Sequence, residues 1–326
     1  MRAVTLTRMM HSRGLATAVS LLCVLAALFF FLGGGVPPIL GDRGFALPSA
    51  NEWFPEGWPS FIGAMVTNGL IVLVAALLCK VFNILRGMSA LYITLFTVMQ
   101  LATPQLMDQF YTGPVLALAA ALGLYLLFGR YRSPVASGHV FLVFMMLSAL
   151  TATQYCFALF MPAFLIVCAQ MRVFNGRTLV AAAVGIVTPW WLLAGFGIIT
   201  PSDLHAPEFR NLFEGVEAAD MALTLGTIAF TAVLLVLSIA LNLFKTIAYN
   251  ARSRAVNGAI TVVAAFAIVG GCLDFNNMVA YLPLLNLCAA LQATHYFSTH
   301  RADRSFIPIL AIVAVYVSLF ICQTQI

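Results

Sequence analysis

Charge is what this chain has least of. Asp, Glu, Lys and Arg make up only 8% of its 326 residues and hydrophobic residues 62%, whereas soluble domains carry about 25% charge. Paired cysteines are missing too. Cys23, Cys79, Cys156, Cys168, Cys272, Cys288 and Cys322 contain no Cys-x-x-Cys pair, and most lie in apolar runs, where Cys packs as a small hydrophobe. His11, His139, His205, His295 and His300 show no metal-ligand spacing, so neither a metal nor another cofactor is expected. No Gly-rich phosphate cradle is present, which excludes an ATP-driven pump of the P-loop type. No basic run accompanies an aromatic platform, so the net charge of +5 is no nucleic-acid footprint. Finally, no charged residue lies at the middle of an apolar run. Ion-coupled transporters keep such residues because an intramembrane charge is costly and persists for a purpose.

The few charges that are present obey one rule. All but Arg43 and Arg210 of the 16 basic residues, and all but Asp303 of the 11 acidic ones, follow an alternating pattern. Apolar runs of helix length divide the chain, and the breaks between them are basic and acidic in turn. The basic breaks hold Arg2, Arg8 and Arg13, then Lys80 and Arg86, Arg130 and Arg132, Arg172 and Arg177, Lys245, Arg252 and Arg254, and Arg301 and Arg304. The acidic breaks hold Asp42, Glu52 and Glu56, then Asp108, then Asp203, Glu208, Glu214, Glu217 and Asp220, then Asp274. Basic residues are retained on the cytoplasmic side of a bilayer. The pattern therefore predicts an all-α, polytopic transmembrane bundle, with its N-terminus inside and its acidic breaks and C-terminus outside.

Measured against a span of about 20 apolar residues, the runs predict about eleven helices. They cover residues 15–32, 61–81, 88–102, 114–128, 135–150, 156–171, 179–199, 223–244, 259–273, 279–296 and 307–322. The first exceeds the roughly 7–15 apolar residues of a signal peptide and lacks a cleavage site, so it reads as a retained span. The 88–102 and 114–128 pair is short, and could dip into the membrane without crossing it. Residues 1–326 form one transmembrane domain with two long outer loops, 33–60 and 200–222. In the first loop, Trp53-Phe54-Pro55-Glu56-Gly57-Trp58 suits a segment on the membrane surface. In the second, Phe209, Leu212, Phe213 and Val216 recur at helical spacing, predicting an interfacial helix. Pro162 and Pro189 fall inside spans as candidate kinks. The amides Asn68, Asn242, Asn286 and Gln292 are expected to hydrogen-bond between helices.

Candidate chemistry then gathers at the outer surface. Asp42 and Arg43 follow the first span closely, and Asp108 occupies the turn Gln105-Leu106-Met107-Asp108-Gln109-Phe110-Tyr111. A carboxylate against apolar surface has a raised pKa, which suits a general base. Arg210, preceded by His205, is the one cation of the second long loop, and a guanidinium among acids can clamp a phosphate.

Three stretches carry a resemblance. They are Met146-Leu147-Ser148-Ala149-Leu150-Thr151-Ala152-Thr153 with Pro162, Arg172-Val173-Phe174-Asn175-Gly176-Arg177, and Thr188-Pro189-Trp190-Trp191. This hairpin, basic break and long span resemble the GT-C glycosyltransferases, in the branch of lipid A aminoarabinose transferases and protein mannosyltransferase-like proteins. The Phe-Asn-x-Arg break is also similar to an uncharacterised family of bacterial inner-membrane proteins. The motif-bearing part covers residues 135–191, and the layout agrees over 15–212. The sequence departs from those enzymes at Asp42-Arg43-Gly44-Phe45, which offers one carboxylate instead of a pair, and at Ala152, where many relatives have Lys.

The resemblance implies a bacterial inner-membrane enzyme that takes a sugar from a polyprenyl-phosphate-linked donor. By position Asp42 would be the base and Asp108 the second carboxylate. Arg210 or Arg43 would hold the lipid phosphate, with His205, Glu52 and Glu56 completing the substrate contacts. Two other readings stay open. One is a non-catalytic accessory subunit of an envelope assembly, docking a protein partner on Glu208, Glu214, Glu217 and Asp220. The other is passive passage of lipid or solute, which needs Asn68, Asn242, Asn286 and Gln292 to converge on one lumen.

Overall fold

Each apolar run of the sequence is helical in the computed structural model, which describes residues 12–33, 45–85, 89–204, 218–246, 250–274, 277–299 and 306–324. In chain order the helices are α1 (Arg13–Gly33), α2 (Trp58–Val81), α3 (Ser89–Leu101), α4 (Pro104–Met107), α5 (Thr112–Phe128) and α6 (Ser137–Thr151). There follow α7 (Phe160–Gln170), α8 (Gly176–Gly195), α9 (Ala218–Thr246), α10 (Ala251–Leu273), α11 (Met278–Thr299) and α12 (Phe306–Thr324). No strand occurs among the described residues. The interfacial helix expected around Phe209–Val216 falls outside them.

Local chemistry fixes several helix starts. Asn175 caps α8 reciprocally: its Oδ1 accepts from Thr178 N at 3.1 Å, and its own N–H donates to Thr178 Oγ1 at 2.9 Å. Asn250 caps α10 through Ser253 N at 2.9 Å. Gly57 turns the chain into α2 at φ 89°, a left-handed conformation that a Cβ would oppose, and Pro59 follows in the first turn. The run at 156–171 is not one α-helix. It opens as a 3-10 turn, Tyr155–Leu159, and becomes α7 only from Phe160, with Pro162 in the first turn, where a missing N–H costs nothing. Pro189, by contrast, is accommodated inside a continuous α8.

Six of these helices are long and apolar enough to cross a membrane: α1, α2, α8, α9, α10 and α12. The chain is a helical membrane protein. Two of the shorter helices, α3 and α5, have a different environment. α3 has 13 residues and α5 has 17, so they rise about 20 and 25 Å, less than a hydrocarbon core of about 30 Å. Both are mostly buried, and α11 is buried along most of its length. α11 packs against α3, α5, α9 and α10. The length rule applies to helices solvated by lipid, whereas α3, α5 and α11 are solvated by other helices. On α1, α8 and α12 the outward faces carry Phe29 (81% exposed), Trp191 and Leu310. A single buried apolar cluster runs from Cys23 on α1 to Tyr316 on α12.

The two ends of the bundle are chemically distinct. At one, Arg130 Nε donates to His139 Nε2 at 3.1 Å, and Arg132 N donates to Met171 O at 3.0 Å. Arg252 lies 5.9 Å over the ring of Phe82, and His295 Nδ1 meets Ile84 O at 3.1 Å. These contacts put the basic turns after α2, α5 and α7 beside the start of α10. At the other end lie Glu52, Glu56, Asp108, Asp203 and Asp274. The charge alternation of the sequence is thus a basic end and an acidic end of the fold.

Candidate functional site at the acidic end

Residues 45–57, the described part of the first loop, are packed across the acidic end of the bundle. Ala46 and Leu47 donate their N–H groups to Ala152 O at 2.9 and 2.8 Å. Phe45 meets Trp190 edge-on at 5.8 Å. Further along, Trp53 and Phe54 cover Phe110 at 5.9 and 4.9 Å, and Phe110 N donates to Ser60 Oγ at 2.7 Å. One strap therefore joins the α6 turn and α8 to α2 and the α4–α5 turn. Glu52 and Glu56 stand exposed on it. Asp42, Arg43, His205 and Arg210 lie outside the described residues.

Beneath the strap is Asp108. Its backbone closes α4 by donating to Pro104 O at 3.2 Å. Neighbouring Met107 packs with Ala27 of α1 and Phe61 of α2. α4 also touches α3 and α12. The Asp108 residue is 2% exposed, and neither carboxylate oxygen has a hydrogen-bond partner among the described residues. Burial without compensating donors pushes its pKa up from 3.8 to about 7. Other buried polar atoms without partners among the described residues occur on the surrounding elements. They are Thr112 Oγ1 at the start of α5, Ser49 Oγ and Asn51 Oδ1 around the 3-10 turn Ala50–Glu52 that packs on α5, and both amide atoms of Gln323 near the end of α12. Each such atom costs about 1–3 kcal/mol if left unmade.

Asp274, at the same end, is the contrast. It is 8% exposed, and Tyr155 OH donates to its Oδ1 at 2.6 Å while Tyr281 OH donates to its Oδ2 at 3.2 Å. Asn277 Nδ2 donates to the Tyr155 hydroxyl at 2.7 Å and to the carboxylate at 3.2 and 3.3 Å. Gln154 Nε2 donates to Asn277 Oδ1 at 2.9 Å. This carboxylate ties the 3-10 turn to the junction of α10 and α11. It is structural, whereas Asp108 is unused by the fold.

No family model matches this chain, and no curated protein or solved structure is significantly similar to it.

The interior amides do not converge on one lumen. Gln100 Nε2 donates to Asn68 Oδ1 at 2.7 Å and Asn286 Nδ2 to Gln100 Oε1 at 2.7 Å. Thr231 Oγ1 continues the chain to Asn286 Oδ1 at 3.3 Å and to the Tyr316 hydroxyl at 2.7 Å. This clasp links α2, α3, α11, α9 and α12. A second one is separate: Asn242 Nδ2 donates to Gln292 Oε1 at 2.7 Å, and Gln292 Nε2 to Thr261 Oγ1 at 3.3 Å. Sequence reasoning found four of these amides and missed Gln100, Thr231 and Tyr316. It also missed Tyr155, Asn277 and Gln323. Gln100 was detectable as a polar residue inside an apolar run, but Thr and Tyr are common at lipid-facing and interfacial positions and give no comparable signal.

Proposed function

We propose that this chain is a multi-pass protein of the bacterial inner membrane, with its basic end in the cytoplasm. At its acidic end it binds a polyprenyl-phosphate-linked sugar and transfers the sugar to an acceptor hydroxyl. The observation that carries this reading is Asp108, a buried carboxylate whose two oxygens have no partner among the described residues, whereas Asp274, at the same end of the bundle, is bonded on both. In the proposed step, Asp108 takes the proton of the acceptor hydroxyl as that oxygen bonds to the anomeric carbon. The bond from the anomeric carbon to the phosphate oxygen breaks, and its electron pair leaves on the polyprenyl phosphate. A base with a pKa near the working pH is efficient in this role. Thr112, Ser49 and Gln323 supply hydrogen-bonding atoms of the kind a sugar hydroxyl satisfies. The strap aromatics Trp53 and Phe54, 43% and 39% exposed, supply the apolar faces usual in such sites. Arg43 or Arg210 would neutralise the lipid phosphate, in keeping with the GT-C resemblance.

The test uses purified protein, radiolabelled polyprenyl-phosphate hexoses and pentoses, and mass spectrometry of co-purified lipid. Wild type should retain and discharge one of these donors. Asp108→Asn should retain the donor but lose transfer by about 10²–10⁴-fold, the usual worth of a general base. Undiminished transfer by the variant removes Asp108 from the chemistry. No bound or discharged donor in wild type overturns the transferase reading.

A further inference from the structure

A second site lies at the opposite end of the molecule, between α1 and α3. These two helices pack together but leave an open groove of about 510 Å³, lined by Arg13, Ala16, Leu21, Val24, Ala90 and Ile93 among others. Its wall is mostly apolar, with Thr17 and Ser20 the polar side chains between Arg13 and Val24. Along α1 it extends from Arg13 to Val24, a rise of about 16 Å. One leaflet of a hydrocarbon core is about 15 Å deep. The groove therefore runs from the basic interface to about the middle of the membrane, the path of one acyl chain. At its mouth, the Arg13 guanidinium has no hydrogen bond or ion pair among the described residues. No described carboxylate shares that end of the molecule.

We infer that the groove binds one anionic glycerophospholipid from the leaflet at the basic end. One acyl chain fills the cleft between α1 and α3, and the phosphodiester pairs with Arg13. A guanidinium matches phosphate oxygens in bidentate geometry and is only weakly hydrated, so the pair forms readily at an interface. A headgroup with no cation of its own is preferred, because a phosphatidylethanolamine ammonium would compete with Arg13 for the same phosphate. Basic clefts between membrane helices commonly select anionic lipids in this way. The site is independent of Asp108 and of any transfer reaction.

The experiment is native mass spectrometry of the purified full chain, delipidated and then titrated with phosphatidylglycerol or phosphatidylethanolamine of identical acyl chains. Wild type should retain a single phosphatidylglycerol with about fivefold preference, the scale of one basic residue at a membrane surface. Arg13→Gln should bind both lipids equally. Leu21→Trp, at a position 62% exposed to the lipid side, should fill the groove without disturbing the core and lower retention of both. Equal retention by wild type, or an unchanged preference in Arg13→Gln, overturns the inference. Full retention by Leu21→Trp would assign the bound lipid to the general annulus instead.

Discussion

At the scale of single residues, the two buried carboxylates of the acidic end, Asp108 and Asp274, differ in what they do for the fold. Asp274 accepts from two tyrosines and an asparagine. Asp108 accepts nothing from the described residues, and its pKa rises to about 7. A carboxyl held more tightly protonated in the folded state than in the unfolded one supports the fold at low pH, and that support is lost as pH rises through the folded value. Wild-type thermal stability should therefore fall between about pH 4 and pH 7, by at most about 4 kcal/mol from this group, and level off above that. Asp108→Asn should flatten that slope. Equal slopes in calorimetry of the two proteins would show that Asp108 is solvated. In the proposed transfer reaction, the same protonation predicts a rate that climbs as pH rises through about 7 and a limb that disappears in the variant. Asp108 could be singled out in the sequence as a candidate; its lack of partners could not, since that depends on α1, α2 and α12 closing around the α4–α5 turn.

Among elements, the tightest pairing is between α6 and α8. A Cβ on Gly185 would lie 2.7 Å from Phe141 O and 3.1 Å from Met145 N, both backbone atoms that cannot rotate away. Ser148 Oγ crosses the same interface to Ile186 O at 2.6 Å. Small residues at such contacts let helices approach closely, which is the main source of association inside a bilayer. Gly185→Ala should lower stability by about 1–3 kcal/mol through overpacking. Gly195→Ala, on the same helix with nothing within 4 Å of its Cβ, should be neutral or slightly stabilising. A matched loss in both would remove close approach as the cause. α11 holds the centre differently, by amides. Asn286→Leu strands Gln100 Oε1 and should cost about 1–3 kcal/mol. Adding Gln100→Leu should recover part of that loss, and a double variant worse than the sum of the two singles would contradict the clasp.

For the whole molecule, the basic and acidic ends give an orientation that can be labelled directly. In a cysteine-free background, a cysteine at the exposed Glu56 should react with an impermeant thiol reagent from outside intact cells. One at the exposed Arg254 should react only after the membrane is opened. The reverse result would invert the bundle and place Asp108 on the cytoplasmic side.

Apolar runs of helix length, broken by charges of alternating sign, are enough by themselves to fix the helices and the chemical identity of each end. The reason is physical: hydrocarbon requires a helix to satisfy its own backbone, and charges are expelled to the interfaces. The number of lipid-facing crossings was not decided at that level. α3 and α5 are too short to cross alone, and α11 is long but carries Pro283, Asn286 and Gln292 among its apolar residues; each is tolerated because its neighbours are helices. Tertiary structure also decided which polar groups are partnered. Thr231 meets Tyr316 across 85 positions of sequence and Tyr155 meets Asp274 across 119, pairings that no local pattern encodes. The same packing left Asp108 without a donor from any described residue, because helices chosen for apolar complementarity closed around a carboxylate.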